Sequence, residues 1–293
     1  MIIYADNENS QQSDKYKKAV LEILTNTYGN ISLPLFASNA HSLKEISKGI
    51  ISSSEPIFIW NNLKPYSVWA IDLCRRFNKD YVVIERGIVP SQGEDNFSFY
   101  AGGICFDNLN IQPKYFDPSS YEKNLDVIEK HYKNNNLSRQ KEKDKIVIIG
   151  QLLFDSTITH YSNFNDYEEL IDMVVRHEQI NINDTEIVYC SHPRHKITHS
   201  KYCISNQQTI RECLDAKMVY AVSSTTIYEI YGLDIPTTIM GFAKNAFPTT
   251  RGWNNRFECL STALDYHFNS KTSPQDIKNK VNKIIEISRE YQK

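Results

Sequence analysis

The chain has 293 residues, with 33 Lys plus Arg against 35 Asp plus Glu and a formal net charge of -2, so no overall field gathers a polyanion and any nucleic-acid or anionic-lipid contact would have to be local. That length is long for one hydrophobic core and suits two α/β domains. No window approaches the roughly 18 apolar residues of a membrane span, and the opening Met1-Ile2-Ile3-Tyr4-Ala5 runs straight into Asp6-Asn7-Glu8-Asn9, so a soluble, unexported protein is expected.

Apolar residues recur at helical spacing from Lys15 to Thr27, stopping near Tyr28-Gly29-Asn30, and again from Ser42 to Ile51 behind a serine cap. Pro56-Ile57-Phe58-Ile59-Trp60 reads as a buried strand and Tyr66 to Phe77, after Pro65, as a helix. Tyr81-Val82-Val83-Ile84 is the next strand and delivers Glu85-Arg86-Gly87 at its C-terminal end. A helix over Ser119 to Lys133 follows. The stretch Asn134 to Lys145 is polar, charged and without apolar period, and a domain boundary is expected there. Beyond it the signals alternate: strand Ile146 to Ile149, helix Tyr167 to Glu178, strand Glu186 to Cys190, helix Asn206 to Ala216, strand Met218 to Val222, helix Thr225 to Tyr231, strand Thr237 to Met240. This is a βαβ series, closed by an amphipathic helix over Asp276 to Tyr291 with Pro274 near its start. The six cysteines are scattered without a C-x-x-C pair and are expected as reduced, mostly buried thiols.

Polar clusters fall where the strands end. They are Glu85-x-Gly87, Gly150-Gln151 with Asp155, Ser191-His192-Pro193-Arg194, and Ser223-Ser224-Thr225-Thr226 with Glu229 further along the helix. In an open α/β sheet the strand ends border the ligand crevice, and a helix starting there points unpaired N–H groups outward. Each cluster alone has a plain structural alternative. His-Pro makes turns, Ser223, Ser224 and Asp155 suit helix caps, Glu85 could form a salt bridge to Arg86 or a neighbour, and Glu229 could be a solvated helical residue. Four such sites at four successive strand ends indicate one crevice, with an anion, most simply a phosphate, as its ligand.

Taken in order, these elements resemble those of bacterial transferases that use CMP-activated sugar acids, including sialyltransferases and polysialyltransferases. The closer resemblance is to the retaining β-Kdo transferases of capsule and O-antigen synthesis, Kdo being 3-deoxy-D-manno-oct-2-ulosonic acid. It rests on Glu85-Arg86-Gly87, Gly103-Ile104-Cys105-Phe106-Asp107, Pro118-Ser119-Ser120-Tyr121-Glu122, Gly150-Gln151 with Asp155, His192-Pro193, and Ser223-Ser224 with Tyr228-Glu229, and spans roughly Trp60 to Gly252. Two departures stand out. Arg86 replaces an acidic residue, and Gly241 to Trp253 keeps only a loose likeness to the family's G-x-P-F-Y-A-x-W-G stretch.

The resemblance implies a GT-B-type glycosyltransferase of class α/β, with two Rossmann-like domains facing a cleft. Residues 1–137 would bind the acceptor, residues 138–272 the CMP-sugar, and residues 273–293 would form a helix packing back on the first domain. It implies transfer of Kdo from CMP-Kdo to a surface-polysaccharide acceptor with retention. Asp155 would be the nucleophile and Glu85 the acid/base, forming the catalytic pair. Gln151, His192, Pro193, Arg194, Ser223, Ser224, Thr225 and Glu229 would form the donor-nucleotide set, with His192 and the serines on the phosphate and Glu229 on the ribose. His160, Tyr161 and Asn163 follow Asp155 closely enough to touch donor or acceptor. No cofactor is expected, since a CMP donor carries one phosphate and no D-x-D motif is present. No metal site is expected either: His192, His195 and His199 have helical spacing, but Pro193 interrupts the helix they would share. The expected partners are the CMP-sugar and an oligosaccharide or lipid-linked glycan, with peripheral association at the inner membrane beside other glycan-assembly enzymes, and no nucleic acid. No P-loop, G-x-G-x-x-G or G-x-S-x-G anchors a kinase, dinucleotide oxidoreductase or hydrolase. Two other readings stay open: an inverting sialyl or polysialyltransferase in which Asp155 or Glu85 is only a general base, and a catalytically silent glycan-binding or assembly module.

Overall fold

The computed structural model describes residues 2–4, 11–29, 35–36, 40–60, 65–88, 96–101, 109–152, 158, 162–164, 166–177, 179, 184–192, 197, 202–205, 207–240, 252–253 and 255–291. In chain order its elements are β1 (Ile2–Tyr4), α1 (Gln11–Tyr28), β2 (Leu35–Phe36), α2 (Ala40–Ser52), β3 (Ile57–Trp60), α3 (Pro65–Arg76), β4 (Tyr81–Arg86), β5 (Phe97–Tyr100) and α4 (Pro118–Asn134). Then come β6 (Lys143–Ile149), α5 (Tyr167–His177), β7 (Glu186–Cys190), β8 (Cys203–Ser205), α6 (Thr209–Cys213), β9 (Ala216–Ala221), α7 (Thr226–Gly232), β10 (Thr237–Ile239), α8 (Arg256–Leu264), β11 (His267–Phe268) and α9 (Pro274–Glu290). They divide into two compact units, one of Met1–Tyr115 with Thr262–Lys293 and one of Phe116–Ser261.

The first unit is built on a six-stranded sheet of order β11-β5-β4-β3-β1-β2. Strands β1 to β4 run parallel, whereas β5 is antiparallel to β4 and β11 antiparallel to β5. Side chains alternate faces along a strand, so Val82, Ile84, Phe97 and Phe99 share a face with Phe58 and meet Tyr16, Val20 and Leu24 of α1 and Val281 and Ile284 of α9. Val20, Leu24, Val281 and Ile284 are fully buried, each worth about 1.5–3 kcal/mol of transfer from water. Phe99 stacks on Phe268 with centroids 4.1 Å apart, which fixes β11 on β5 through their aromatic faces. Helix α9 starts at a capped end, with Pro274 in its first turn and Ser273 Oγ accepting the Asp276 N–H at 3.2 Å.

The second unit holds a five-stranded, wholly parallel sheet of order β10-β9-β6-β7-β8. Its central strands are buried on both faces, which is why Ile146–Ile149 and Ile187–Cys190 read as unbroken apolar runs. The chain passes from β6 outward through β7 to β8, then returns to the other side of β6 as β9 and β10. The topology therefore reverses between β6 and β9. Near the strand starts, Lys145 is buried against Asp215 and Glu212, and Lys143 also reaches Asp215, at 2.6 Å; from the end of β8, Ser205 Oγ donates to Glu212 at 2.6 Å.

Helix α4 belongs to this second unit. Asp117 caps it by accepting the Ser119 N–H at 2.9 Å, Pro118 opens it, and Asn124, Ile128 and Tyr132 form its buried stripe. Asn124 Nδ2 donates to the Ser261 carbonyl at 3.0 Å and the Tyr132 hydroxyl to the Glu229 carbonyl at 3.0 Å. The divisions thus fall at 115/116 and 261/262, and the polar stretch after Asn134 is the α4–β6 connection inside one unit. Helix α9 lies in the first unit, against α1, β4 and β5.

Among the described residues no helix is long and apolar enough to cross a membrane. Cys74, Cys190, Cys213 and Cys259 are buried and Cys203 is exposed, none of them in a disulfide; Cys105 lies outside the described residues. Burial pushes the Cys74 and Cys190 thiols up to about 12, which leaves them chemically quiet.

Candidate functional site

Three adjacent strand ends in the second unit carry the polar clusters. Strand β6 lies between β9 and β7, so Ser223, Gln151 and His192 emerge side by side at the carboxyl edge, where the topology reverses. Strands in a sheet are about 4.8 Å apart, so the outer two ends are separated by about 10 Å at the backbone, a width that side chains from both can close on one phosphate. Open α/β sheets take their ligands at such a reversal.

Gly150 sets the geometry at the centre. Its N–H continues the ladder to the Cys190 carbonyl at 2.8 Å. A Cβ on it would sit 2.4 Å from that carbonyl oxygen and 2.6 Å from the Tyr189 ring, so β6 and β7 close up only because the position lacks a side chain. The next residue, Gln151, then turns toward β9. Its Oε1 accepts the Ser223 N–H at 2.8 Å and its Nε2 donates to Ser223 Oγ at 2.9 Å, which also fixes which end of the amide is which.

The serine pair divides its work. Ser223 is engaged by Gln151, whereas Ser224 Oγ accepts the Thr226 N–H at 3.3 Å in the manner of a helix cap. Thr225 precedes α7 with helical dihedrals and no side-chain cap bond. The capping alternative therefore holds for Ser224 and not for Ser223. On the other flank, Ser191 N–H extends the ladder to the Ser205 carbonyl at 3.1 Å, and its Oγ accepts the Ile197 N–H at 3.4 Å. His192 is half-buried.

Glu229 is not a solvated helical residue. It is 7% exposed, and its Oε1 lies 2.6 Å from Nε2 of His131 on α4. The motifs do not include His131. Its position three residues after Ile128 and next to Tyr132 puts it on the buried stripe of α4, a signal of burial that leaves its partner unnamed.

Glu85 is the next-to-last residue of β4 in the first unit, half-buried, in register with Ser98 of β5, which in turn pairs with His267 of β11. The adjacent Arg86 faces the other side of the sheet, its guanidinium 4.4 Å from the Tyr16 ring centroid. Alternation directs the two side chains toward opposite faces of the sheet. Gly87 lies so close to Asn96 that a Cβ would meet its side chain at 2.3 Å. The structure brings Gln151 and Ser223 together, sets His192, Ser224 and Thr225 at the same sheet edge, and holds Glu229 on the following helix. Asp155, His160, Tyr161, Pro193, Arg194, His195, His199, residues 102–108 and residues 241–251 lie outside the described residues.

No family model matches the chain, and no curated protein matches it in sequence. Solved structures do match it in fold. One is described as "Thermosulfurimonas dismutans KpsC, beta Kdo 2,7 transferase", with 17% identity and a TM-score of 0.61 over 99% of each chain. Another, "Thermosulfurimonas dismutans KpsC, beta Kdo 2,4 transferase", gives 15% identity and a TM-score of 0.62 over 97% of this chain and 98% of that one. The chain has their fold. The GT-B-type α/β class implied by the motifs is therefore borne out, and the structures that share the fold carry the name of the group the motifs resemble.

Proposed function

We propose that the protein is a glycosyltransferase that moves Kdo from CMP-Kdo to a surface-polysaccharide acceptor with retention of configuration. The observation that carries this reading is the Gln151–Ser223 lock at the topological reversal of a parallel sheet, flanked by His192 on one side and the buried Glu229 on the other. In this reading His192 and the serine hydroxyls hold the phosphate, with Pro193, Arg194 and Thr225 around it, and Glu229 accepts the ribose hydroxyls. Asp155 attacks the anomeric C2 of Kdo, and the C2–O bond electrons leave with CMP. As they leave, the phosphate gains negative charge, so donors fixed in place beforehand gain strength in the transition state. The acceptor hydroxyl then attacks C2 of the Kdo–Asp155 ester, its proton passing to Glu85 while the Asp155 carboxylate departs. The acceptor is an oligosaccharide or lipid-linked glycan, met in the cytoplasm or at the inner-membrane surface beside other glycan-assembly enzymes.

The test is CMP release from CMP-Kdo and from CMP-sialic acid in the presence of a glycan acceptor. CMP-Kdo is expected to be consumed. Faster release from CMP-sialic acid would favour the inverting sialyltransferase reading, and release from neither would favour a silent glycan-binding module. Asp155→Asn is expected to abolish transfer while CMP still binds, and transfer at the wild-type rate would remove Asp155 as nucleophile.

A further inference from the structure

Glu229 is gripped by a helix that lies outside its own motif. His131 Nε2 meets Glu229 Oε1 at 2.6 Å, and the two side chains are 13% and 9% exposed. The next residue, Tyr132, donates its hydroxyl to the Glu229 carbonyl, so consecutive residues of α4 fix both the side chain and the main chain of one glutamate. One turn on, Asn135 Nδ2 donates to the His131 carbonyl at 2.8 Å, which orients the amide with its NH2 toward the imidazole, 3.3 Å from Nδ1. In the neutral ring, an NH2 facing Nδ1 is met by the acceptor nitrogen, and Nε2–H is then the donor to Glu229.

We propose that His131 is the positioning residue for Glu229, aiming its carboxylate at the ribose hydroxyls of the bound nucleotide through the series Asn135–His131–Glu229. The proposal rests on the nucleotide reading given above. A glutamate side chain has several rotors, and a carboxylate already fixed by a buried imidazole loses little freedom when a ligand arrives. Because Oε1 meets His131, the orientation of the carboxylate is set by the imidazole before a ligand arrives. Burial adds a second effect: away from water, the carboxylate–hydroxyl bond is charge-assisted and directional.

The experiment is calorimetric titration of wild type, His131→Ala and His131→Gln with CMP and with 2′,3′-dideoxy-CMP, which lacks the two hydroxyls. Wild type is expected to prefer CMP by about ten- to a hundred-fold, the value of hydrogen bonds to a charged group. His131→Ala is expected to lose most of that preference through weaker CMP binding, with the dideoxy nucleotide bound as before. His131→Gln, which keeps an NH2 for the carboxylate, should restore part of it. A purely structural role would weaken both nucleotides alike and leave their ratio unchanged, which overturns the proposal. If wild type binds both nucleotides equally, Glu229 does not serve the ribose and the proposal falls while a CMP site stands. If wild type binds no CMP, the nucleotide reading falls and the proposal with it.

Discussion

Replacing Gln151 separates the integrity of the crevice from its charge. Gln151→Ala removes both bonds between the β6 and β9 ends, at 2.8 and 2.9 Å. A neutral hydrogen bond contributes about 1 kcal/mol net, and water can reach these half-buried groups, so the loss is about 1–2 kcal/mol. With m near 2 kcal/mol per M, the urea midpoint drops by about 0.5–1 M. Gln151→Glu is nearly isosteric: the Ser223 N–H still finds an oxygen and the Ser223 hydroxyl rotates to donate to the other, so stability stays within about 0.5 kcal/mol of wild type. The new charge, however, lies beside the proposed phosphate. Two unit charges about 6 Å apart at an effective dielectric near 20 repel by about 3 kcal/mol before salt screening. CMP affinity should therefore fall about ten- to a hundred-fold at low salt and recover in part at high salt. Calorimetry at two salt concentrations, paired with urea titration, reads both effects. A Gln151→Glu variant that folds like wild type and binds CMP undiminished at low salt refutes the placement of the phosphate.

Two other perturbations test the frame around the site. Gly150→Ala drives a methyl into a backbone carbonyl at 2.4 Å, a neighbour that cannot rotate away, and should cost about 2–3 kcal/mol in chemical unfolding; an unchanged midpoint would mean that β6 and β7 separate freely. Asp215 tests the buried charge cluster by pH. Burial by itself would raise its carboxyl, but the ammonium groups of Lys143 and Lys145 outweigh burial and hold it below the ordinary value, while Lys145, which burial would lower, is raised by Asp215 and Glu212. The unfolded carboxyl binds its proton at higher pH than the folded one, so its stabilisation is complete above about pH 4 and is lost as pH falls through the folded value. Asp215→Asn should be less stable than wild type at neutral pH and lose stability less steeply in acid, measured by urea titration over the acid range. Equal slopes would show that the cluster does not govern the acid limb.

The parallel strands are the legible part of this sequence. Ile57–Trp60, Tyr81–Ile84, Ile146–Ile149 and Glu186–Cys190 are short apolar runs because both faces of each are covered, and the observed strands coincide with them to within a few residues. The antiparallel edge is not legible. Phe97–Tyr100 lacks a recognisable hairpin signal, and its partner His267–Phe268 lies far along the chain with two residues to announce it. The expected helix over Asn206 to Ala216 is Thr209–Cys213, preceded by the edge strand Cys203–Ser205, because a three-residue strand leaves no periodicity to read. Domain assignment fails to follow composition for a related reason. A polar run after Asn134 resembles a linker, but membership is decided by where α4 buries Asn124 and Tyr132, whose partners lie 137 and 97 residues away. At the site, residue type and strand-end position are readable for Gln151, His192 and Ser223. The lock between Gln151 and Ser223 and the imidazole on Glu229 are not, since both are contacts across sequence that only the sheet order and the α4 docking create.

The make-up of the first unit has a consequence for how the chain comes into being. Its sheet takes β11 and its core takes α9 from the last part of the sequence, while Phe116–Ser261 is one continuous stretch. On a ribosome the second unit has all its strands in hand while the first still has β5 as an open edge and Phe97 and Phe99 without Phe268, Val281 and Ile284 over them. Synthesis therefore finishes the wholly parallel sheet before the sheet that carries Glu85. Residues up to Tyr115 therefore wait for Thr262 and beyond before their core closes.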